Sequence, residues 1–502
     1  MKMKKYILKS VFALLTLSAV VSCKDEFYDV NENPNNPSVS NPGLTLPVAQ
    51  DQLVNLNATT MTIVGQYFMY NWATPSNWSA NQDFTRYQIT STFQTGIFTT
   101  SYLNVFKNLT YVENFTDPAG VIDYSYYKGI STILKAYQYQ HLVDTYGDVP
   151  YTEANQRQNN LTPKYDKAED IYKDLILKMT DVVKALDNMP LTAENPGAKD
   201  IIFGGDVVKW QKFANTVKLR LLMRLTNTKQ DSFIKDEIAK ITANGKGFIT
   251  ANVSVAGATF YSDNAGKLNP FYGLFKAAST GNQTDRNDFT VATDTAIDFF
   301  TNNNDKRLAR LYAPAKTGGA FKGAPQKTTL PGVGFTSNDL SKVGPGLIKT
   351  PTQDQPLMLL SEALFLQAEA VQRGFLAGNA EALYNKAVQE SFTFLGVENA
   401  TVEANTYLAQ AIQNVNFATS SDKIEAIITQ KWAALNGTSS IESWFEYNRT
   451  GFPKGLPIPA ESGRTTRPYR LLIPVSEVAT NSNNVPTQTP ETAFNQKIFW
   501  QR

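Results

Sequence analysis

This chain of 502 residues holds one cysteine, Cys23, and one histidine, His141. A single thiol excludes an intrachain disulfide and any zinc site built from several thiolates. A single imidazole excludes zinc sites made from several histidines, and no HExxH occurs. A Ser-His-Asp triad would have to use His141, which lies inside the helical pattern Ile130–Val143, and no GxSxG is present. His141 therefore reads as structural. Gly245-Lys246-Gly247 is not a phosphate loop; it follows a helical run ending near Ala243 and reads as a helix-ending turn. Charge of one sign is lacking too, with 47 basic against 45 acidic residues. Without Lys2, Lys4, Lys5 and Lys9 the small excess reverses to about −2, so no field steers the body toward nucleic acid or anionic lipid. Beyond the N-terminal segment no stretch is apolar for long enough to cross a bilayer. No EF-hand loop appears, which leaves calcium binding open.

What is present begins at the N-terminus. The four lysines precede a short apolar run, Val11–Val21, too short to span a membrane stably. Val20-Val21-Ser22-Cys23 is a rough match to the lipobox of bacterial lipoproteins. Residues 1–22 are thus expected to be a lipoprotein signal peptide, with Cys23 the lipidated residue, so that the protein is anchored to a membrane and not embedded in it. Asp29-Val-Asn-Glu-Asn-Pro-Asn-Asn-Pro37 cannot form a helix or a central strand and reads as a tether. The expected division is 23–42 as lipidated Cys and flexible tether and 43–502 as a single body.

Within the body, helical periodicity dominates. Ile171, Tyr172, Leu175, Ile176, Met179, Val182, Val183 and Leu186 form one apolar stripe. Asp206 caps a second helix whose stripe includes Trp210, Phe213, Val217, Leu221 and Leu225. Further helices are expected from Leu357 to about Arg373, Ala380 to Leu395 and Lys423 to Leu435. Alternating patterns are few, and Gly247–Ala258 is the best strand candidate. Helices pair across short connections (121–145 with 166–187, 357–373 with 380–395), with small residues set among bulky ones, which resembles tetratricopeptide packing. The predicted fold is mainly α: tetratricopeptide-like helix pairs with long irregular loops, near 72–95, 257–290, 312–356 and 452–470, and little β.

Several segments together resemble the SusD/RagB family of outer-membrane nutrient-binding lipoproteins. They are Tyr146-Gly-Asp-Val-Pro-Tyr-Thr-Glu-Ala154, Lys209-Trp-Gln-Lys-Phe-Ala-Asn-Thr-Val-Lys-Leu-Arg220, Glu362–Ala370, Gln430–Gly437, Trp444–Pro453 and Arg467–Asn481. The Asn-Pro tether is similar to that of one SusD-like branch, and Lys24-Asp25-Glu26 resembles the short acidic signal that sends Bacteroidetes-type lipoproteins to the outer face of the outer membrane. One departure is Asn448-Arg449, where that branch often carries Arg-Arg. The resemblance implies a non-catalytic cell-surface lipoprotein that acts as lid over a SusC-like TonB-dependent transporter. It implies binding and hand-over of oligosaccharide or, in some members, peptide, with no cofactor. The signature residues themselves read as structural: Trp210, Trp432 and Trp444 as core, Gly147, Asp148 and Pro150 as a turn in which Asp148 holds backbone amides, and Arg220, Arg224, Glu362 and Glu369 as pairs between helices.

A glycan offers flat C–H faces and many hydroxyls, so its site needs aromatic platforms beside amides, carboxylates or guanidinium groups. The segment 71–87 suits this, with Trp78, Trp72, Asn77, Asn81, Arg86 and Tyr87 as candidates. A second segment, 279–289, contributes Asp285, Arg286 and Asp288, flanked by Tyr261 and Tyr272. The structural alternatives are that the tryptophans plug the preceding helix and that Asp288 or Thr290 caps the helix that follows. Two other functions compete with glycan delivery: peptide or protein capture, and a surface glycoside hydrolase using two of the many carboxylates.

Overall fold

A computed structural model describes residues 40–502. The signal segment, Cys23 and the Asn-Pro tether lie outside the described residues. Helices carry the body. The first, α1 (Pro42–Leu56), starts where the Asn41 side chain accepts from the Leu44 amide at 3.1 Å, and it runs on through one π-type turn into Thr62–Phe68. Then come α2 (Ser125–Tyr146), α3 (Ala168–Asp187) and α4 (Val207–Arg224). The expected stripe of α3 is buried in full, and the Asp206 side chain caps α4 by accepting from the Lys209 amide at 3.0 Å. After a long, mostly irregular stretch come α5 (Leu360–Gln372), α6 (Ala380–Leu395), α7 (Lys423–Leu435) and α8 (Ser440–Thr450). Within these helices α2 packs on α3, α3 on α4, and α5 on both α6 and α7. The fold is mainly α, as the periodicity predicts.

Among the described residues, β-structure amounts to three antiparallel pairs of short strands and a few isolated bridges. Of the expected strand at 247–258, Val253–Val255 alone forms, paired with Gln355–Met358. Gly257 and Ala258 open the short helix Gly257–Phe260 instead. Trp72–Ala73 pairs with Val291–Ala292, Trp72 opposite Ala292 and Ala73 opposite Val291. That two-residue ladder ties the loop after α1 to a loop more than 200 residues later, and it decides where the candidate site sits.

One continuous apolar core runs through most of the body, with a second cluster among α5, α6 and α7. Trp210, Trp432 and Trp444 are buried in it. At its centre lies a network of buried charge. Arg220 and Arg224 of α4 reach Glu362 of α5, Asp144 of α2, and Glu442 and Glu446 of α8. Arg449 grips Glu369 with two bonds of 2.7 Å each. Burial works against ionisation of Glu446, yet Arg449, Lys431 and Arg224 together hold its carboxyl well below the usual carboxylate range. Asn448, the departure from the branch pattern, leaves this network intact and donates to the Tyr469 carbonyl at 3.2 Å. His141 is buried here, its Nε2 3.0 Å from Glu442 Oε1. Burial lowers its pKa to about 4, so it stays neutral and structural near pH 7. Asp148 accepts from the Ala168 amide at 2.9 Å and pairs with Lys167, joining the turn after α2 to the start of α3.

Candidate functional site

The two candidate segments, far apart in sequence, meet. Trp78 Nε1 donates to Asp288 Oδ2 at 2.7 Å, and Asp288 Oδ1 pairs with Lys342 at 2.6 Å. Burial opposes ionisation of Asp288, but bonds from Lys342, Trp78 and Ser337 hold its carboxyl below the usual range. The Trp78 ring meets Phe289 edge-on, with centroids 5.4 Å apart. Asn77 fixes the loop from the other side: its Oδ1 accepts from the Ser337 amide at 2.9 Å and from the Ser337 hydroxyl at 3.0 Å. Asn81, in the left-handed region at φ 54°, donates to the Tyr67 hydroxyl at 2.8 Å. A small apolar cluster of Ala73, Val291, Ala324 and Leu340 underlies the paired strands.

The half-buried Trp78 lines a cavity of about 190 Å³ with Thr74, Gln82, Arg86, Gln326 and Glu461. Arg86 is 44% exposed and 3.6 Å from Glu461, a contact loose enough to release the guanidinium to a ligand. Arg86 also lines the neighbouring cavity of about 530 Å³ with Asp83, Gln88 and Arg464. Two larger cavities lie elsewhere. One of about 700 Å³, between α2 and α3, has two of its four carboxylates met by lysines: Glu113 by Lys135 at 2.5 Å and Asp174 by Lys178 at 2.7 Å. The other, about 750 Å³, lies against the Val253–Val255 and Gln355–Met358 strands.

Three expected contact residues are corrected by burial. Trp72 is 1% exposed and packs against Phe271 and Phe275 under the loop. Tyr87 is buried among Phe68 and Phe494, its hydroxyl bonded to that of Tyr70. Tyr261 is likewise buried. Each has packed its ring into the core, where apolar area is worth more than display, and none offers a face to a ligand. Tyr272 is half-buried, and Asp285 is exposed on the short helix Asp285–Phe289. Neither Asp288 nor Thr290 caps the helix that follows; Thr293 does, and Thr284 caps the start of Asp285–Phe289. Sequence reading missed Lys342, Ser337 and Gln326. All three lie in the long loop 312–356, whose length was the one available signal.

A family profile described as "Starch-binding associating with outer membrane", SusD-like, matches residues 34–474. No curated protein sequence matches the chain. Among solved structures, a chitin-binding SusD homologue from Flavobacterium johnsoniae is 22% identical with a TM-score of 0.72, covering 91% of this chain and 98% of its own. A SusD homologue from Bacteroides fragilis is 22% identical with a TM-score of 0.71, covering 92% of this chain and 100% of its own. A SusD/RagB family protein from Bacteroides thetaiotaomicron is 18% identical with a TM-score of 0.70, covering 92% and 99%. At these identities the structures speak for the fold, while the profile spans most of the sequence. The chain therefore belongs to the SusD-like family of outer-membrane-associated nutrient-binding proteins.

Proposed function

We propose that this protein is a non-catalytic surface lipoprotein, anchored through Cys23, that binds oligosaccharide and passes it to a SusC-like TonB-dependent outer-membrane transporter, over which it acts as a lid. The observation that carries the binding step is the state of Trp78. Its indole N–H is already committed to Asp288, so what it has left to offer is ring surface, and that surface borders a cavity edged by Gln82, Arg86, Gln326 and Glu461. A sugar ring stacks its C–H face on an indole while amides and guanidinium groups bond its hydroxyls. Asp288 and Lys342 act as positioning residues that hold the platform. Asn77 and Asn81 hold the loop, and Arg86 is the main polar ligand contact. The chitin-binding description of the Flavobacterium homologue agrees with a glycan ligand.

Titration of the full chain with a panel of oligosaccharides and with a peptide mixture tests the reading. Glycan binding is expected, and Trp78→Ala should weaken it about tenfold, the scale of one lost aromatic stack of 1–2 kcal/mol, while leaving the melting temperature in place. Binding of peptides with none of glycans would transfer the function to peptide capture. Turnover of any glycan by the pure protein would make it a hydrolase. Co-purification with a TonB-dependent barrel from native outer membrane checks the partner.

A further inference from the structure

Rings and charge alternate across the join between the two halves of the site. Trp72 packs on Phe275 with centroids 4.9 Å apart. The Arg286 guanidinium lies 6.0 Å from the Phe275 ring centre and 5.1 Å from that of Phe289. Phe289 in turn meets Trp78. Ring faces stabilise a cation from above and below. They offer no lone pairs to the N–H groups in the guanidinium plane, which are five strong donors. Among the described residues no acceptor bonds any Arg286 nitrogen, and Nη1 is wholly buried without a partner. Asp288, two residues on, is occupied by Lys342 and Trp78, and Asp285 is exposed.

The same fold contains its own contrast. Arg307, fully buried where Arg286 is half-buried, is ringed by Phe300, Phe392 and Tyr407 at 5.0 to 5.8 Å. There Asp305 supplies the in-plane acceptor, with Arg307 Nη2 2.6 Å from Oδ2 and Nε 3.0 Å from Oδ1. Among its rings Arg307 is thus given a carboxylate. Arg286 is given none, although an unpaired buried charged donor is costly. Burial accordingly pushes the Arg286 guanidinium below its ordinary range. Arg286 does not itself line the Trp78 cavity; it stands against Phe289, the ring that meets Trp78. It and the Tyr67 hydroxyl lie near enough to perturb each other, and that hydroxyl is 3.3 Å from the Oγ1 of Thr74, which lines the cavity beside Trp78.

We infer that the missing acceptor belongs to the ligand: Arg286 receives an anionic substituent, a ring carboxylate or a sulfate ester, of a glycan stacked at Trp78. The inference rests on the glycan reading above and narrows it to acidic glycans. The planar fork of arginine matches two oxygens of either group, and such charge-assisted pairs are among the strongest hydrogen bonds a site can make.

The test is calorimetric titration of the full chain with three sets of oligosaccharides matched in length: neutral (chito- and malto-oligosaccharides), uronate (oligogalacturonates) and sulfated. One acidic set should bind at least about tenfold tighter than the neutral set, the scale of a charge-assisted bond, and which one does so separates carboxylate from sulfate. Arg286→Gln should remove that preference while leaving weak neutral binding, and Arg286→Lys should restore part of it. Circular dichroism and melting confirm that each variant is folded. The comparison of acidic with neutral ligands on the unaltered chain does not depend on the variants at all. Neutral glycans binding as tightly as acidic ones, or Arg286→Gln binding the acidic set unchanged, would overturn the inference and leave the glycan reading standing. Absence of binding to all three sets overturns both.

Discussion

Arg224 should be the most sensitive residue of the buried network. Its Nε lies 3.1 Å from Asp144 Oδ2, its Nη1 2.8 Å from Glu446 Oε1 and its Nη2 2.5 Å from Glu442 Oε2, and it is fully buried. Arg224→Met preserves most of the volume against Phe445 and Trp500 but leaves Asp144 with no cation among the described residues and takes one partner each from Glu442, which keeps Arg220, and Glu446, which keeps Arg449 and Lys431. Breaking a buried pair from one side costs about 3–5 kcal/mol, because the remaining charge is left desolvated. At about 2 cal per mole per kelvin per residue, two-state unfolding of a body this size carries an entropy of roughly 1 kcal per mole per kelvin, so the melting temperature should fall by about 3–5 °C at pH 7.5. The sign with pH follows from these carboxylates. In the native chain Glu442 and Glu446 are held below the usual carboxylate range, so their stabilisation is present above the unfolded pKa of about 4.3 and is lost as pH falls through the folded values. In the variant Asp144, already raised to about 6 by burial in the native chain, loses the cation that opposed that rise; it takes up its proton at still higher pH, and the deficit shrinks as pH falls. Differential scanning calorimetry of both proteins between pH 5 and pH 8 measures this. A deficit under about 1 °C, or one equally large at both ends of the range, would refute the reasoning and show that the network contributes no more than an apolar cluster of the same shape.

Three further outcomes are expected. Gly65→Ala should cost more than about 3 kcal/mol or prevent folding, since a Cβ there would stand 2.1 Å from the Ser440 carbonyl carbon and 2.2 Å from the Ile441 nitrogen; that overlap is backbone on backbone and has little room to relax. Soluble yield and melting temperature report it. His141, lowered to about 4 by burial, contributes stability above the unfolded value of about 6.5 that is lost as pH falls toward 4, about 2 kcal/mol by pH 5. Asp144, raised to about 6 chiefly by burial, works in the opposite direction over the same window. His141→Gln should therefore lose less melting temperature between pH 7 and pH 5 than the native chain does; an equal loss removes His141 as a source. Cys23→Ala should fold and bind ligand as before but leave the outer-membrane fraction, which fractionation of cells measures.

Much of the scaffold was legible because helices advertise themselves locally. The α3 stripe, the Asp206 cap and the positions of Trp210, Trp432 and Trp444 depend on neighbours three or four residues away, and all stand where periodicity placed them. The candidate site was half legible. Segments 71–87 and 279–289 could be singled out for their polar and aromatic content, but composition does not say which face a loop side chain takes. Trp72 and Trp78 are six residues apart in the same segment, yet one is a plug and the other borders a cavity. The Trp72–Ala292 strand pairing separates them, and its partner lies 220 residues away.

By itself, then, the sequence determined a helical body, the Asp206 cap and its core tryptophans, together with an expected lipid attachment at Cys23. It also excluded an intrachain disulfide, multi-thiolate and multi-histidine metal sites and strongly electrostatic steering by what it lacks. Tertiary structure alone decided that Asp288 serves Trp78, that Lys342 balances Asp288, and that Arg286 lies between two rings without an acceptor while Arg307 has one. The physical reason is range. Apolar periodicity is a local signal written every few residues, whereas the pairing of a loop's charges is settled by whichever distant segment the packed helices bring against it.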